Sequence, residues 1–302
     1  MILGTRGSKL ALVQAEACAA FLHDAGIAVE IRIIRTTSEH HPDTPLAVID
    51  QRDVFTRQLD EAVLSGEIDL AIHSMKDVPT EPPDGVSLAA VTRRHDPSDV
   101  LVSDERYTVD GLPQRAVVAT SSLRRRAQLL HHRPDLDVVG IRGNVDTRVR
   151  KMREGAADAV VLARAGLERL GLDVPHTVIS SDVVFPAVGQ GALAAATRED
   201  HPMRESIREI LNHGPTERAV LAERAMLRAL EGGCRVPVGV SSAVDGSVVR
   251  LRGIVASLEG ALVYRGEAEG KEPEEVGERL ARDLLVQGAA VVLGEIREVR
   301  SG

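Results

Sequence analysis

The sequence predicts an α/β fold of two layered domains followed by a smaller α+β domain. Three observations predict it. Short apolar runs alternate with helix-spaced segments over the first two-thirds of the chain, hairpin signals dominate the last third, and 302 residues exceed what one core comfortably holds. With 43% hydrophobic and 27% charged residues, the composition is that of an ordinary globular chain with enough apolar side chains for real cores.

Each element follows from its local pattern. Gly4-Thr5-Arg6-Gly7-Ser8 joins a strand to a helix spaced through Leu10, Val13, Ala17 and Phe21. Ile31–Ile34, Leu70–Ile72, Ala116–Ala119, Val138–Ile141 and Ala159–Leu162 read as buried strands, because short continuous apolar runs suit mostly parallel sheets covered on both faces. Phe55, Leu59 and Val63 have helical spacing. Ala119-Thr120-Ser121-Ser122-Leu123 repeats the small, hydroxyl-rich strand-to-helix turn of the N-terminus, which suggests two similar α/β domains facing one cleft. His95-Asp96-Pro97-Ser98-Asp99 reads as a crossing between them, and Pro186–Ala192 as a glycine-flanked turn leading into a strand. Thr216 is placed to cap a helix running to Glu231, with Gly232 as a left-handed cap. Val236–Val244, Val248–Ser257 and Ala261–Glu269 follow, separated by Asp245-Gly246 and Glu259-Gly260. They read as an antiparallel sheet, closed by a helix over Pro273–Gln287.

Bulk properties exclude several function classes. A net charge of −8 gives no general attraction to nucleic acid or anionic membrane, and 2% aromatics leave little for a base-stacking platform. No apolar run reaches membrane-spanning length, and the first residues lack a signal-peptide plan, so the protein is expected in the cytoplasm. No metal site is expected: His40-His41 and His131-His132 are adjacent pairs, not pairs facing one ion. The two cysteines, Cys18 and Cys234, read as separate thiols in a reducing compartment.

Against this acidic background, residues 124–153 hold nine Lys or Arg and three acids, a local balance of +6. For Arg150, Lys151 and Arg153 a solvated helix face is the preferred reading. Arg124, Arg125, Arg142 and Arg148 stand where strands give way to helices, and there ligand binding weighs evenly against solvation. Helix N-termini offer free amides and guanidiniums offer planar forks, a combination suited to a small ligand with many carboxylates. His73-Ser74-Met75-Lys76-Asp77-Val78-Pro79 lies at another strand end. There Asp77 suits proton transfer or cation stabilisation and Lys76 suits a Schiff base, although a surface ion pair accounts for both. Cys234 follows two glycines and precedes Arg235, the setting of an accessible thiol with a lowered pKa, whereas Cys18 shares a helical face with Val13, Ala17 and Phe21 and reads as core.

Seven stretches, in order, resemble the hydroxymethylbilane synthase (porphobilinogen deaminase) family. They are Thr5–Ala11, His73–Pro79, Thr120–Arg125, Arg142–Arg148, Leu162–Leu172, Pro186–Ala192 and Glu231–Pro237. The resemblance implies two lobes like those of type II periplasmic binding proteins and a third domain with a three-stranded antiparallel sheet. Its boundaries fall at 1–94 with 190–212, 98–187 and 215–302. It implies a dipyrromethane cofactor in thioether linkage to Cys234, to which four porphobilinogen units are added with loss of ammonia before hydrolysis frees 1-hydroxymethylbilane. Asp77 matches the family's catalytic aspartate. Lys76, Asp77, Ser122, Arg124, Arg125 and Arg148 match its cofactor contacts, and Arg6, Ser8, Arg142, Arg169 and Gln190 its contacts to substrate or growing chain. Acetate and propionate groups on every porphobilinogen account for an arginine-rich site in an acidic protein. A monomer without an obligatory protein partner is implied. The sequence departs from the family in the mobile loop over the cleft, where Asp50-Gln51-Arg52-Asp53-Val54-Phe55 keeps a basic residue at Arg52 and the aromatic Phe55 but loses the family's glycines. Some relatives carry glycine where Asp146 stands, and Asp146 is expected in a first helical turn, where acid is tolerated. Two other readings remain: a non-catalytic two-lobe binding protein for a small polyanion, which leaves Cys234 without a role, and a nucleic-acid binder using the 124–153 arginines.

Overall fold

The computed structural model describes residues 1–35, 56–230 and 236–301. The chain divides into two compact units, Met1–His95 with Gly191–Glu217, and Asp96–Gln190 with Arg218–Gly302.

The first unit is one five-stranded sheet covered by helices on both faces. Its elements are β1 (Ile2–Thr5), α1 (Lys9–Asp24), β2 (Glu30–Ile33), α2 (Arg57–Ser65), β3 (Leu70–Ser74), β4 (Val86–Val91), then β10 (Leu193–Arg198) and α6 (Arg204–Leu211). The strand order is β2-β1-β3-β10-β4. β1 runs parallel to β2 and β3, and β10 lies antiparallel between β3 and β4. Neighbouring residues serve opposite faces: Leu70 and Ile72 pack with Ala15, Cys18 and Leu22 of α1, whereas Ala71 packs with Leu59 and Val63 of α2.

The second unit contains two sheets. The larger comprises β5 (Asp99–Val102), β6 (Val117–Ala119), β7 (Asp137–Val139), β8 (Ala159–Ala163) and β9 (His176–Val178), with α3 (Leu123–His132), α4 (Val145–Lys151) and α5 (Arg164–Leu170). Its order, β7-β6-β8-β5-β9, repeats that of the first unit, with β5 as the antiparallel fourth strand. The echo between the two hydroxyl-rich turns is thus matched in topology, as expected of two type II periplasmic-binding-protein lobes. The smaller sheet is the antiparallel meander β11 (Val238–Asp245), β12 (Val248–Ala256) and β13 (Val263–Gly270). It is covered by α7 (Gly214–Ala229) and α8 (Pro273–Leu284), and α9 (Ala290–Ser301) follows. Met226, Leu251, Val255, Leu280 and Leu284 form its core. The two sheets are joined by an Arg126–Glu259 ion pair at 2.9 Å, an Arg252–Asp182 pair at 2.9 Å, and Arg252 over the Phe185 ring at 5.2 Å.

Three local expectations are corrected. Cys18 is core, but its companions on α1 are Ala15 and Leu22; Ala17 is exposed and Phe21 is 63% exposed. The i, i+4 string through residues 13, 17 and 21 is the wrong stripe, about a third of a turn away from the one that meets the sheet. Thr216 does not cap α7, which begins at Gly214. His213 holds the N-cap place: its carbonyl accepts from the Glu217 amide at 2.9 Å and its ring from the Thr216 amide at 3.3 Å. Asp99, read as part of a crossing, is the first residue of a buried strand.

Gly277 shows how tightly the small domain is packed. A β-carbon there would lie 2.2 Å from the Ala222 carbonyl oxygen and 2.7 Å from the Met226 amide nitrogen, so α8 meets α7 backbone to backbone. Glycine to alanine inside a helix ordinarily stabilises by about 0.5–1 kcal/mol. Here the sign should reverse: Gly277→Ala should lose about 1–3 kcal/mol in denaturant unfolding, and a more stable variant would refute the contact.

Candidate active site

The first unit collects its candidate residues at the carboxyl edge of its sheet. β1 and β3 are parallel neighbours, so the turns leaving them open on the same edge. Ser8 caps α1, its hydroxyl accepting from the Ala11 amide at 3.3 Å, while the Thr5 hydroxyl donates to the Ala11 carbonyl at 3.1 Å. These bonds seat Arg6-Gly7-Ser8 on the helix start. After β3 the chain makes one 3₁₀ turn, Met75–Asp77, pinned by a 3.0 Å hydrogen bond from the Met75 amide to the Ala192 carbonyl. Lys76 and Asp77 ride on this turn, both half-buried. The side chains of Gln14 and Ser74 bond at 3.1 Å and tie α1 to the end of β3. Arg6, Ser8, Lys76 and Asp77 therefore share one edge.

His73 lies within the same strand and is 5% exposed. Burial pushes its imidazole down to about 4, and the nearby Arg6 charge pushes the same way. It is neutral at physiological pH and adds no charge to that edge.

In the second unit three turns open on one edge, because β6 pairs in parallel with β7 and β8. Ser122 caps α3, its hydroxyl accepting from the Arg125 amide at 3.4 Å. The Ser121 hydroxyl donates to the Ile141 carbonyl at 2.6 Å and accepts from the Ile141 amide at 3.0 Å, lashing the first turn to the second. On that second turn Arg148 Nε donates to the Gly143 carbonyl at 2.7 Å and Lys151 Nζ to the Arg142 carbonyl at 3.2 Å. Asp146 stands in the first turn of α4, as expected. Arg169 stands in the last turn of α5 rather than on the turn itself. Arg150 and Arg153 are exposed and paired with Glu154 and Asp104, a solvated face.

Arg124 and Arg125 are almost fully buried. Both meet Asp99, which is 0% exposed. Arg124 Nη1 donates to Asp99 Oδ2 and Arg125 Nη2 to Oδ1, each at 2.8 Å. Arg124 also donates to the Phe185 carbonyl, and Arg125 to the Val161 carbonyl at 2.8 Å. Gln190, also buried, donates to Asp99 Oδ1 at 2.8 Å and to the Pro97 carbonyl at 2.6 Å. Burial opposes the Asp99 charge, but the two guanidiniums together outweigh it and hold the carboxyl far below its usual range. Asp99 reaches this edge because β5 is antiparallel: its first residue pairs with Ala163, the last of β8.

Sequence reasoning missed Asp99 and Glu223. The signal for Asp99 was two adjacent arginines at a strand end without an assigned counter-ion. For Glu223 it was a carboxylate on the otherwise apolar stripe of Val220, Ala222 and Met226; Glu223 is fully buried and accepts from the Gly189 amide at 2.7 Å and the Ser242 hydroxyl at 2.5 Å. Arg52, Phe55 and Cys234 lie outside the described residues.

The donor set fits a carboxylate-rich group. Two guanidiniums share one carboxylate, so this buried cluster keeps a net positive charge, and Arg125 Nε is buried without a hydrogen-bond partner. The model of "Porphobilinogen deaminase, dipyromethane cofactor binding domain" matches residues 1–206, and that of "Porphobilinogen deaminase, C-terminal domain" matches residues 218–286. The chain belongs to the porphobilinogen deaminase family. The porphobilinogen deaminase of Rubrobacter xylanophilus is 68% identical over 300 residues, covering 99% of this chain and 98% of its own. That of Syntrophomonas wolfei is 45% identical over 301 residues, covering 98% of each. Among solved structures, the periplasmic VFT2 domain of Bordetella pertussis BvgS aligns with 65% of this chain and 74% of its own, at 21% identity and TM-score 0.38. Family membership makes the chain an enzyme, a transferase of tetrapyrrole biosynthesis with hydroxymethylbilane synthase activity and a dipyrromethane cofactor.

His73 gives a pH prediction for this edge. Its folded pKa lies below its unfolded one, so stability is fully present above about 6.5 and lost as pH falls toward about 4, on the order of 3 kcal/mol in all. His73→Gln should flatten the fall in melting temperature across that window, and an unchanged slope would reject the assignment.

Proposed function

We propose that this chain condenses four porphobilinogen molecules in turn on a dipyrromethane primer tethered at Cys234, then hydrolyses the product to 1-hydroxymethylbilane. The observation that carries the residue assignments is that each unit, taken by itself, has a sheet edge lined by cations at strand-to-helix turns, with Asp77 on the edge of the first. Each condensation breaks a C–N bond and releases ammonia, forms a C–C bond between pyrroles, and removes a proton from the attacking α-carbon. When bound, the primer supplies the nucleophilic pyrrole and a fixed anchor.

The chain's own residues do the rest. Asp77, held on its 3₁₀ turn, stabilises positive charge at pyrrole nitrogens and accepts or returns the proton. Lys76, Ser122, Arg124, Arg125 and Arg148 hold the primer's carboxylates. Arg6, Ser8, Arg142, Arg169 and Gln190 hold those of incoming porphobilinogen or the growing chain. The net positive charge of the Asp99 cluster supports the primer assignment. Arg52 and Phe55 are proposed to close over the site. The same reading divides the chain into domains 1–94 with 190–212, 98–187 and 215–302, supported by one sheet for each. It places the enzyme in the cytoplasm as a monomer that needs no protein partner and binds neither nucleic acid nor membrane. Among the described residues no helix is long and apolar enough to cross a membrane.

Two experiments test this. Intact-mass spectrometry of freshly purified protein should show an excess of two porphobilinogen residues less ammonia, and Cys234→Ser should remove it. A bare-chain mass in active protein would sink the tether. Asp77→Asn should keep the mass excess and the fold while lowering kcat by about 10²-fold or more; near-normal turnover would refute its role.

A further inference from the structure

Asp99 has no part in the assignments above, yet both of its carboxylate oxygens are engaged. Oδ1 takes Arg125 and Gln190, and Oδ2 takes Arg124. It is 0% exposed and its oxygens are taken by protein donors, so it acts on a ligand through those donors. What it sets is the orientation of three groups assigned to ligands.

The same network reaches the elements that flank residues 231–235. The Phe185 carbonyl accepts from Arg124 and, at 3.3 Å, from Gln128, whose Oε1 accepts from the Phe185 amide at 2.8 Å. The chain then runs beside β11, where the Val240 amide donates to the Pro186 carbonyl at 2.8 Å. Three residues on, the Gly189 amide donates to Glu223 of α7, which also takes the Ser242 hydroxyl of β11. α7 leads into residues 231–235 and β11 follows them. Residues 185–190 are therefore held on one side by the Asp99 cluster and on the other by both elements that bracket Cys234.

We propose that Asp99 is a positioning residue: through Arg124, Arg125 and Gln190 it fixes the register between the carboxylate-gripping turn and the elements that carry the tether. An anchored, many-carboxylate primer can satisfy both ends only if that span is constant, which is why the anion inside the arginine pair belongs to the protein. The inference rests on the assignment of Arg124 and Arg125 to the primer and of Gln190 to porphobilinogen.

The test compares Asp99→Asn with Arg125→Leu and with Leu129→Ala, a core truncation in the same helix that destabilises without touching the cluster. Primer occupancy is read by intact mass, and KM and kcat per loaded chain by porphobilinogen consumption. Asp99→Asn should lower occupancy and raise KM by about tenfold while kcat per loaded chain stays nearly unchanged, whereas Leu129→Ala should lower the melting temperature alone. Occupancy and KM near parental values in Asp99→Asn, or an equal loss in Leu129→Ala, overturn the inference. Normal occupancy in Arg125→Leu overturns the primer assignment and the inference with it; loss there with none in Asp99→Asn overturns the inference alone. If Asp99→Asn is insoluble, Asp99→Glu decides. Its charge is kept but displaced, so parental occupancy and KM would again overturn the inference.

Discussion

The second unit depends on one carboxylate shared by two guanidiniums. Arg124 and Arg125 are adjacent on the first turn of α3, and both are buried. Two desolvated cations side by side are unstable without an anion, since burial costs each several kcal/mol and their mutual repulsion adds to it. Asp99 answers both with one bond to each, and the Val161 and Phe185 carbonyls take further donors. One carboxylate against two cations leaves the cluster positive. The interaction that makes the fold possible thus also makes the site attractive to a further carboxylate.

That interaction is available because of topology. In each five-stranded sheet the fourth strand runs against its neighbours. An antiparallel strand brings its first residue to the edge where parallel strands end. Asp99 of β5 therefore faces the turns leaving β6 and β8, and in the first unit Ala192, just before β10, pins the Met75–Asp77 turn. One architectural rule serves both units with different chemistry: a buried charge cluster in one, a half-buried carboxylate on a 3₁₀ turn in the other.

Much of this was legible beforehand. Asp245-Gly246 and the alternating runs around it gave the hairpin, and the hydroxyl-rich turns Gly4–Ser8 and Ala119–Leu123 were read as opening helices, as they do. The turns bearing Arg6, Asp77 and Arg142 were at strand ends as read. What failed were questions of facing and partnership. Phe21 and Ala17 looked like core because their spacing is helical, but spacing gives a period and not a phase; the sheet selected Ala15, Cys18 and Leu22. Arg124 and Arg125 were set apart from Arg150 by their place at a strand end, but their near-complete burial was not legible, because charge in a sequence carries no depth.

The sequence by itself determined the element order, the repeated strand-to-helix turns, the positive balance of residues 124–153 and, through seven ordered stretches, the family. These are local or additive properties, fixed by neighbours within a few positions or by counting. Only the tertiary structure decided which arginines are buried, that Asp99 lies between them, and that residues 185–190 connect them to the elements bracketing Cys234. Those outcomes depend on contacts between residues tens of positions apart, where burial converts an ordinary aspartate into the charge that the surrounding residues are arranged to satisfy.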